Sequence, residues 1–134
     1  MIEKLRPSRP RTKASLTLVA DAPAPVDERP FRTCDHVLDI LSSFFNVSGR
    51  DLRSQSRCDV GVARVRQIGM YVVHVTLGLT MSEVGRAFGR DRSTVAHACH
   101  VIEDMREEPD FDRIIHALEA IIGAAFGQDG SERR

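Results

Sequence analysis

The sequence predicts an all-α protein, a helical bundle that contains a helix-turn-helix. Three observations carry this. Apolar residues recur at three- and four-residue spacing through most of the chain between residues 31 and 126. Two segments, Ser48-Gly-Arg-Asp51 and Thr80-Met-Ser-Glu83, have the Ser/Thr-x-x-acid pattern that opens a helix. Two short helical patterns are separated by a tight, glycine-containing turn near Gly89, with the second one amphipathic.

Taken in order, the first helix is expected to start at Thr33 as its cap. Val37, Leu38, Ile40, Leu41, Phe44 and Phe45 form its apolar stripe, and Asn46 or Gly49 ends it. The Ser48 pattern opens a short turn of helix through Leu52, and Arg53–Asp59 is a polar connection. A longer helix runs from about Val62 to Leu77. Its valines would also suit a strand, but strict alternation and a partner strand pattern are both missing, so a helix is preferred. Gly78 stops it. The Thr80 capping box opens a helix ending near Phe88, and Asp91 offers a side-chain oxygen to the N–H of Ser93 or Thr94. The helix that follows buries Val95, Ala98, Cys99 and Ile102. After Pro109, the residues Phe111, Ile114, Ile115, Leu118, Ile121, Ile122 and Ala125 outline a final amphipathic helix.

With 134 residues the chain has the length of one domain. Five of the 6 prolines lie within the first 30 residues, so 1–28 reads as a disordered basic, proline-rich tail, 31–126 as the helical domain and 127–134 as a flexible tail. Formal net charge is zero, but the charge is unevenly placed. Arg50, Arg53, Arg57, Arg64 and Arg66 crowd 50–66 against Asp51 and Asp59, whereas 103–119 is strongly acidic. A basic half suited to phosphates and an acidic half that avoids them follow from this. Cys34, Cys58 and Cys99 form no CxxC pair, which argues against a disulfide framework or structural zinc site and fits a reducing cytosol. No apolar run approaches the roughly 20 residues of a membrane span, and no secretory signal follows the basic start.

The segment 79–102 carries the chemistry. Val84, Ala87 and Phe88 of its first helix would pack on Val95, Ala98 and Cys99 of its second, leaving Arg92, Ser93, Thr94, Ala96, His97 and His100 in solvent. In a helix-turn-helix the first residues of the second helix meet base edges in the major groove. Arg92 can bond guanine O6 and N7, and Ser93 and Thr94 can serve either partner. The bland alternative is a solvated helical hairpin. His97 and His100 flank Cys99, but the set is incomplete for a metal and Cys99 lies on the buried stripe. Glu107, Glu108, Asp110 and Asp112 read as a solvated acidic turn rather than catalytic carboxylates, and no Ser–His–Asp arrangement stands out, so no enzyme activity, cofactor or metal is expected.

Phe45-Asn46-Val47-Ser48 with Asp51-Leu52, Arg64, Arg66-Gln67-Ile68, Met70-Tyr71, Glu83 through Asp91, Thr94-Val95 and His97-Ala98-Cys99 resemble the C-terminal DNA-binding domain (domain IV) of the bacterial replication initiator DnaA. The likeness spans about 34–105 and implies a Trp-repressor-like helical bundle that reads an A/T-rich nonamer in double-stranded DNA. It further implies that Arg66 and Gln67 touch backbone phosphate and that Asp91, Arg92, Ser93, Thr94 and Ala98 face the major groove. Arg57 stands near the family's minor-groove arginine, with a spacing one residue longer. The candidate DNA-binding set is therefore Arg57, Arg64, Arg66, Gln67, Arg90, Asp91, Arg92, Ser93, Thr94, His97 and Ala98.

Three departures stand out. Arg92-Ser93 occupies the place of the family's His-Thr or His-Ser, His100-Val101 replaces a basic pair, and Val65 replaces a proline. Arginine's fixed donor fork shifts the expected base preference toward guanine. No GxxxxGK[ST] loop occurs, so a stand-alone site-occupier without nucleotide chemistry is expected, cytoplasmic and nucleoid-associated, modulating replication initiation or transcription. The alternatives are a module that contacts the replication initiator or its regulators, and a transcription factor unrelated to replication. The very apolar last helix either completes the core or offers a surface to a second copy or a partner protein.

Overall fold

A computed structural model of the chain describes residues 28–54 and 59–127. Within them lie α1 (Arg29–Phe45), α2 (Gly49–Arg53), α3 (Val60–Leu77), α4 (Met81–Phe88), α5 (Arg92–Met105) and α6 (Pro109–Phe126), with no strand among the described residues. The all-helical expectation holds. Of the expected tails at 1–28 and 127–134, residues 1–27 and 128–134 lie outside the described residues, while Glu28 and Gly127 stand as the caps of α1 and α6.

Local chemistry sets most boundaries. Helix α1 begins four residues before the expected cap at Thr33, with Glu28 at the cap and Pro30 in the first turn. Proline fits there because first-turn N–H groups lack intrahelical acceptors anyway. It ends at Asn46, whose φ of 57° is a left-handed cap that Asn tolerates. Ser42 Oγ then donates to the Val47 carbonyl at 2.7 Å, closing the corner. Ser48 Oγ accepts from the Asp51 N–H at 3.2 Å and opens α2, as its pattern predicts. Helix α3 starts at Val60 because the Asp59 carboxylate accepts from the Val62 N–H at 3.0 Å. Helix α4 opens on a full capping box: Thr80 Oγ1 accepts from the Glu83 N–H at 3.0 Å, and the Thr80 N–H donates to Glu83 at 2.9 Å. Helix α6 has Pro109 in its first turn, capped by the Glu108 carboxylate at 3.0 Å from the Phe111 N–H.

Helix α3 is the central post. It packs against α1, α2, α4, α5 and α6, and Val62, Val65, Ile68, Met70, Tyr71, Val72 and Val73 are all buried on it. Its β-branched content is thus a product of burial on several sides, where packing overrides helix propensity. Cys34, Val37, Leu38 and Leu41 close the core from α1, and Ile115, Leu118 and Ile122 from α6.

Two arginines tie elements together outside the core. Arg53 donates to the Asp35 and Asp39 carboxylates at 2.9 Å each, to the Asp35 carbonyl at 3.0 Å and to the Gly49 carbonyl at 3.1 Å, so α2 is clamped to α1. Arg106, just past α5, donates to Asp112 at 2.6 Å, Glu119 at 2.9 Å and the Tyr71 hydroxyl at 3.1 Å, joining α5, α6 and α3. Burial alone would lower the Arg106 pKa, but the hydrogen bonds to Asp112, Glu119 and Tyr71 outweigh it and hold the guanidinium more firmly charged than usual.

Burial has the opposite effect on the thiols. Desolvation, with Asp35 and Glu83 nearby, pushes the Cys34 thiol from its ordinary 9.0 up to about 12, and Cys99 is raised by desolvation and by Glu103. Since folding disfavours the Cys34 thiolate, the stability linked to it is complete below pH 9.0 and is lost as pH rises toward about 12. Iodoacetamide mass mapping of the native chain at pH 8 is expected to leave Cys34 unmodified while the urea-unfolded chain reacts. Rapid native alkylation of Cys34 would show that α1 does not pack as described.

Candidate nucleic-acid interface

The two helices α4 and α5 meet at a turn with little freedom. Gly89 has a φ of 68°, and its N–H donates to the Arg86 carbonyl at 3.3 Å, while the Arg90 N–H donates to the Gly85 carbonyl at 2.8 Å. The chain then folds back on α4 so closely that a Cβ at Gly85 would lie 2.7 Å from the Arg90 carbonyl oxygen. Gly85 is therefore the point on which the turn rests. The resemblance contains this glycine, but its spacing alone gives no sign of the contact.

Asp91 caps α5 differently from expectation. Its backbone carbonyl accepts from the Thr94 N–H at 3.0 Å and the Val95 N–H at 3.2 Å, and its carboxylate makes no capping bond. The exposed carboxylate is left beside Arg92. From this start α5 divides as its periodicity predicts: Val95, Ala98, Cys99 and Ile102 are buried, while Asp91, Arg92, Ser93, Thr94, Ala96, His97 and His100 are exposed. The exposed set brings a guanidinium, two hydroxyls, two imidazoles and one carboxylate to the cap and the solvent-exposed part of α5, with Arg92 and Thr94 at its two edges. None of these side chains has a hydrogen bond or ion pair to another described residue, so their donors and acceptors are open to a ligand. Ala98, expected to face the groove, is instead 1% exposed and packs in the core, because at its spacing it shares the side of Val95 and Ile102.

The other candidate residues divide between surface and scaffold. Arg64 Nη1 donates to Gln67 Oε1 at 2.9 Å on α3, both half-buried, so one guanidinium edge holds the amide. Arg66 is only 7% exposed. Its Nε donates to the Leu52 carbonyl at 3.0 Å and its Nη2 to the Asp51 carbonyl at 2.9 Å. These are the last-turn carbonyls of α2, which a cation at the helix C-terminus satisfies. Arg90 turns back on its own corner, donating to Phe88 and Gly89 carbonyls at 3.2 and 3.3 Å and to the Ser54 carbonyl at 3.2 Å. Arg57 lies outside the described residues. Part of the basic cluster at 50–66 is thus occupied internally, since Arg53 and Arg66 hold backbone oxygens of neighbouring elements, and Arg90 of the candidate set does the same.

The metal reading of His97, Cys99 and His100 meets a geometric obstacle, since Cys99 is buried while both histidines are exposed. No helix among the described residues is long and apolar enough to cross a membrane.

Fold and site together define a helix-turn-helix protein with an exposed second-helix face. Residues 34–102 match the family model described as bacterial dnaA protein helix-turn-helix. The chain is 32% identical over 94 residues to the chromosomal replication initiator protein DnaA of Lachnoclostridium phytofermentans, covering 69% of this chain and 20% of that protein. Two solved structures share the fold with a TM-score of 0.65. A crystal structure of a DNA replication initiation factor is 20% identical over 82% of this chain, and AMPPCP-bound DnaA from Aquifex aeolicus is 19% identical over 85%. This chain spans 35% and 36% of those two chains, and a fifth of the curated relative. The chain belongs to the bacterial DnaA helix-turn-helix family.

The turn gives a direct test. Gly85→Ala forces a methyl group against a backbone oxygen and is expected to destabilise the fold by about 1–3 kcal/mol in urea titration. Gly61→Ala, at the open start of α3 where the nearest outside atom is a side-chain oxygen 3.4 Å away, is expected to cost nothing and to add about 0.5 kcal/mol. Equal effects at both sites would show that the turn does not rest on Gly85.

Proposed function

We propose that this protein binds double-stranded DNA in a replication-initiation context, recognising DnaA-box-like sites through the major groove. In this reading it acts on replication initiation or on transcription by occupying those sites at the nucleoid. The observation that carries the proposal is the first turn of α5. Arg92, Ser93 and Thr94 are exposed together at a helix N-terminus whose preceding turn is held tightly against α4 at Gly85. A helix of 14 residues presented in this way suits the major groove, and its N-terminal residues meet the base edges.

Roles follow from where each side chain stands. Thr94 and Ser93 supply hydroxyls to base edges or phosphate, and Arg92 supplies a two-pronged donor that matches guanine O6 and N7. Asp91 accepts from cytosine or adenine amino groups, and His97 reaches the flank of the same face. Gln67 and Arg64 contact phosphate from α3, setting register rather than sequence. Arg66 and Arg90 act through the scaffold: one holds α2 on α3 and the other holds the turn of the helix-turn-helix against Ser54. Arg57 remains the candidate for the minor groove by the resemblance alone.

Selection from a randomised duplex pool tests the proposal. A recovered site related to the A/T-rich nonamer, with a guanine introduced opposite Arg92, is the expected result. Thr94→Ala should then relax the preference at one position, costing about 1–3 kcal/mol, while Arg64→Ala weakens all sequences alike and lowers the salt slope by about 1. Absence of salt-sensitive duplex binding would overturn the DNA-binding reading. An enriched site unrelated to the nonamer would retain DNA binding and overturn the DnaA-box assignment.

A further inference from the structure

The last helix carries more apolar surface than the core uses. Ile115, Leu118 and Ile122 are buried, in a helix whose main packing partner is α3. A second stripe on α6 faces solvent: Ile114 is 39% and Ile121 is 44% exposed, and Ala117 and Ala124 are exposed with them. At 3.6 residues per turn these four side chains fall within about 80° of the helix circumference. Their spacing of three, four and three residues is that of a helix–helix seam.

Two features of the stripe say what fits it. Its order of sizes, Ile-Ala-Ile-Ala, becomes Ala-Ile-Ala-Ile when read backwards. An antiparallel copy centred on residue 119 therefore sets Ile114 against Ala124 of the second copy and Ala117 against Ile121, a large side chain on a small one at every layer. Such interdigitation is what close helix packing requires. The second feature is charge. Between Ile114 and Phe126 the only acidic or basic residue besides His116 is Glu119, and it is already bonded to Arg106. Asp110 and Arg113, at the N-terminal end, pair with each other. A self-associating face meets its own charges, and this one has none left unpaired to repel a copy.

We propose that the Ile114–Ala117–Ile121–Ala124 face of α6 binds a second copy of this chain as an antiparallel, two-fold symmetric helix pair. The face is isologous, so one patch serves both chains. It starts at the far end of α5 from Arg92, about 21 Å along that helix, so pairing leaves both recognition faces open. With only two isoleucines per chain in the seam, association depends on concentration.

Sedimentation equilibrium of the full chain over roughly a hundredfold range of concentration tests this. The average mass is expected to rise from one chain toward two. Ile121→Lys and Ala117→Glu alone should each hold the mass at one chain, with unchanged helical circular dichroism because both sites face solvent. Positions 117 and 121 oppose each other across the antiparallel seam, so the double variant sets an introduced carboxylate against an introduced ammonium and should recover the dimer. A wild-type chain that stays monomeric throughout would overturn the proposal. A dimer that survives both single variants would place the interface elsewhere, and single variants that lose it without recovery in the double variant would overturn the antiparallel register. Duplex binding by the single variants reports on the recognition helix separately, so failure of the dimer and failure of the DNA-binding reading are distinguishable.

Discussion

Between Gly85 and the carbonyl oxygen of Arg90 there is no room for a methyl group, and the presentation of α5 depends on that closeness. The turn is drawn against α4 by the Arg90 N–H on the Gly85 carbonyl, and Gly89 takes the positive φ that lets the chain reverse. With the turn pinned, the buried side of α5 meets Val84 and Phe88 in a common core, and its opposite side has to face solvent. A loosened turn would leave α5 helical, since its hydrogen bonds are local, but would let its first residues swing. Base readout tolerates little of that, because hydrogen bonds to base edges depend on position to within tenths of an ångström.

Arginine in this protein is divided between holding and reading. Arg53, Arg66, Arg90 and Arg106 bind carbonyls or carboxylates of neighbouring elements, replacing an extensive apolar interface around the short α2 and the corners. Leu52 is the one buried residue of α2, so the carbonyl bonds from Arg66 and the Arg53 clamp largely keep that helix in place. Breaking the Arg66 bond to Leu52 leaves a buried carbonyl without its donor, which costs more than the bond itself contributes. Arg92 is different in kind: it is exposed, and no other described residue holds it. The distinction separates residues whose loss would unsettle the fold from those whose loss would alter recognition.

Local signals are legible in the sequence. The Ser48 and Thr80 capping patterns, the αL cap at Asn46, the Gly89 corner and the stripe of α5 each depend on residues within one or two turns, and each stands where its pattern places it. The start of α1 departs from the expected Thr33 because Pro30 reads as tail composition, yet proline suits a first helical turn. The features that sequence does not display are non-local. The acceptors of Arg66 lie 14 and 15 residues away, and Ser54, which Arg90 holds besides its own corner, lies 36 residues away. A basic run such as 50–66 therefore looks like one phosphate-facing surface, although part of it is internal. Asp91 shows the same limit at short range, since carbonyl and carboxylate capping leave identical sequence signatures.

The most direct measurement is amide and side-chain NMR of the full chain titrated with its selected duplex. The largest shifts are expected at Arg92, Ser93, Thr94 and His97, with smaller ones at Arg64 and Gln67, while Ile114–Ala124 of α6 stays unmoved at fixed protein concentration. Shifts centred on α1 or α6, with the first turn of α5 unchanged, would contradict the assignment of that turn as the reading surface.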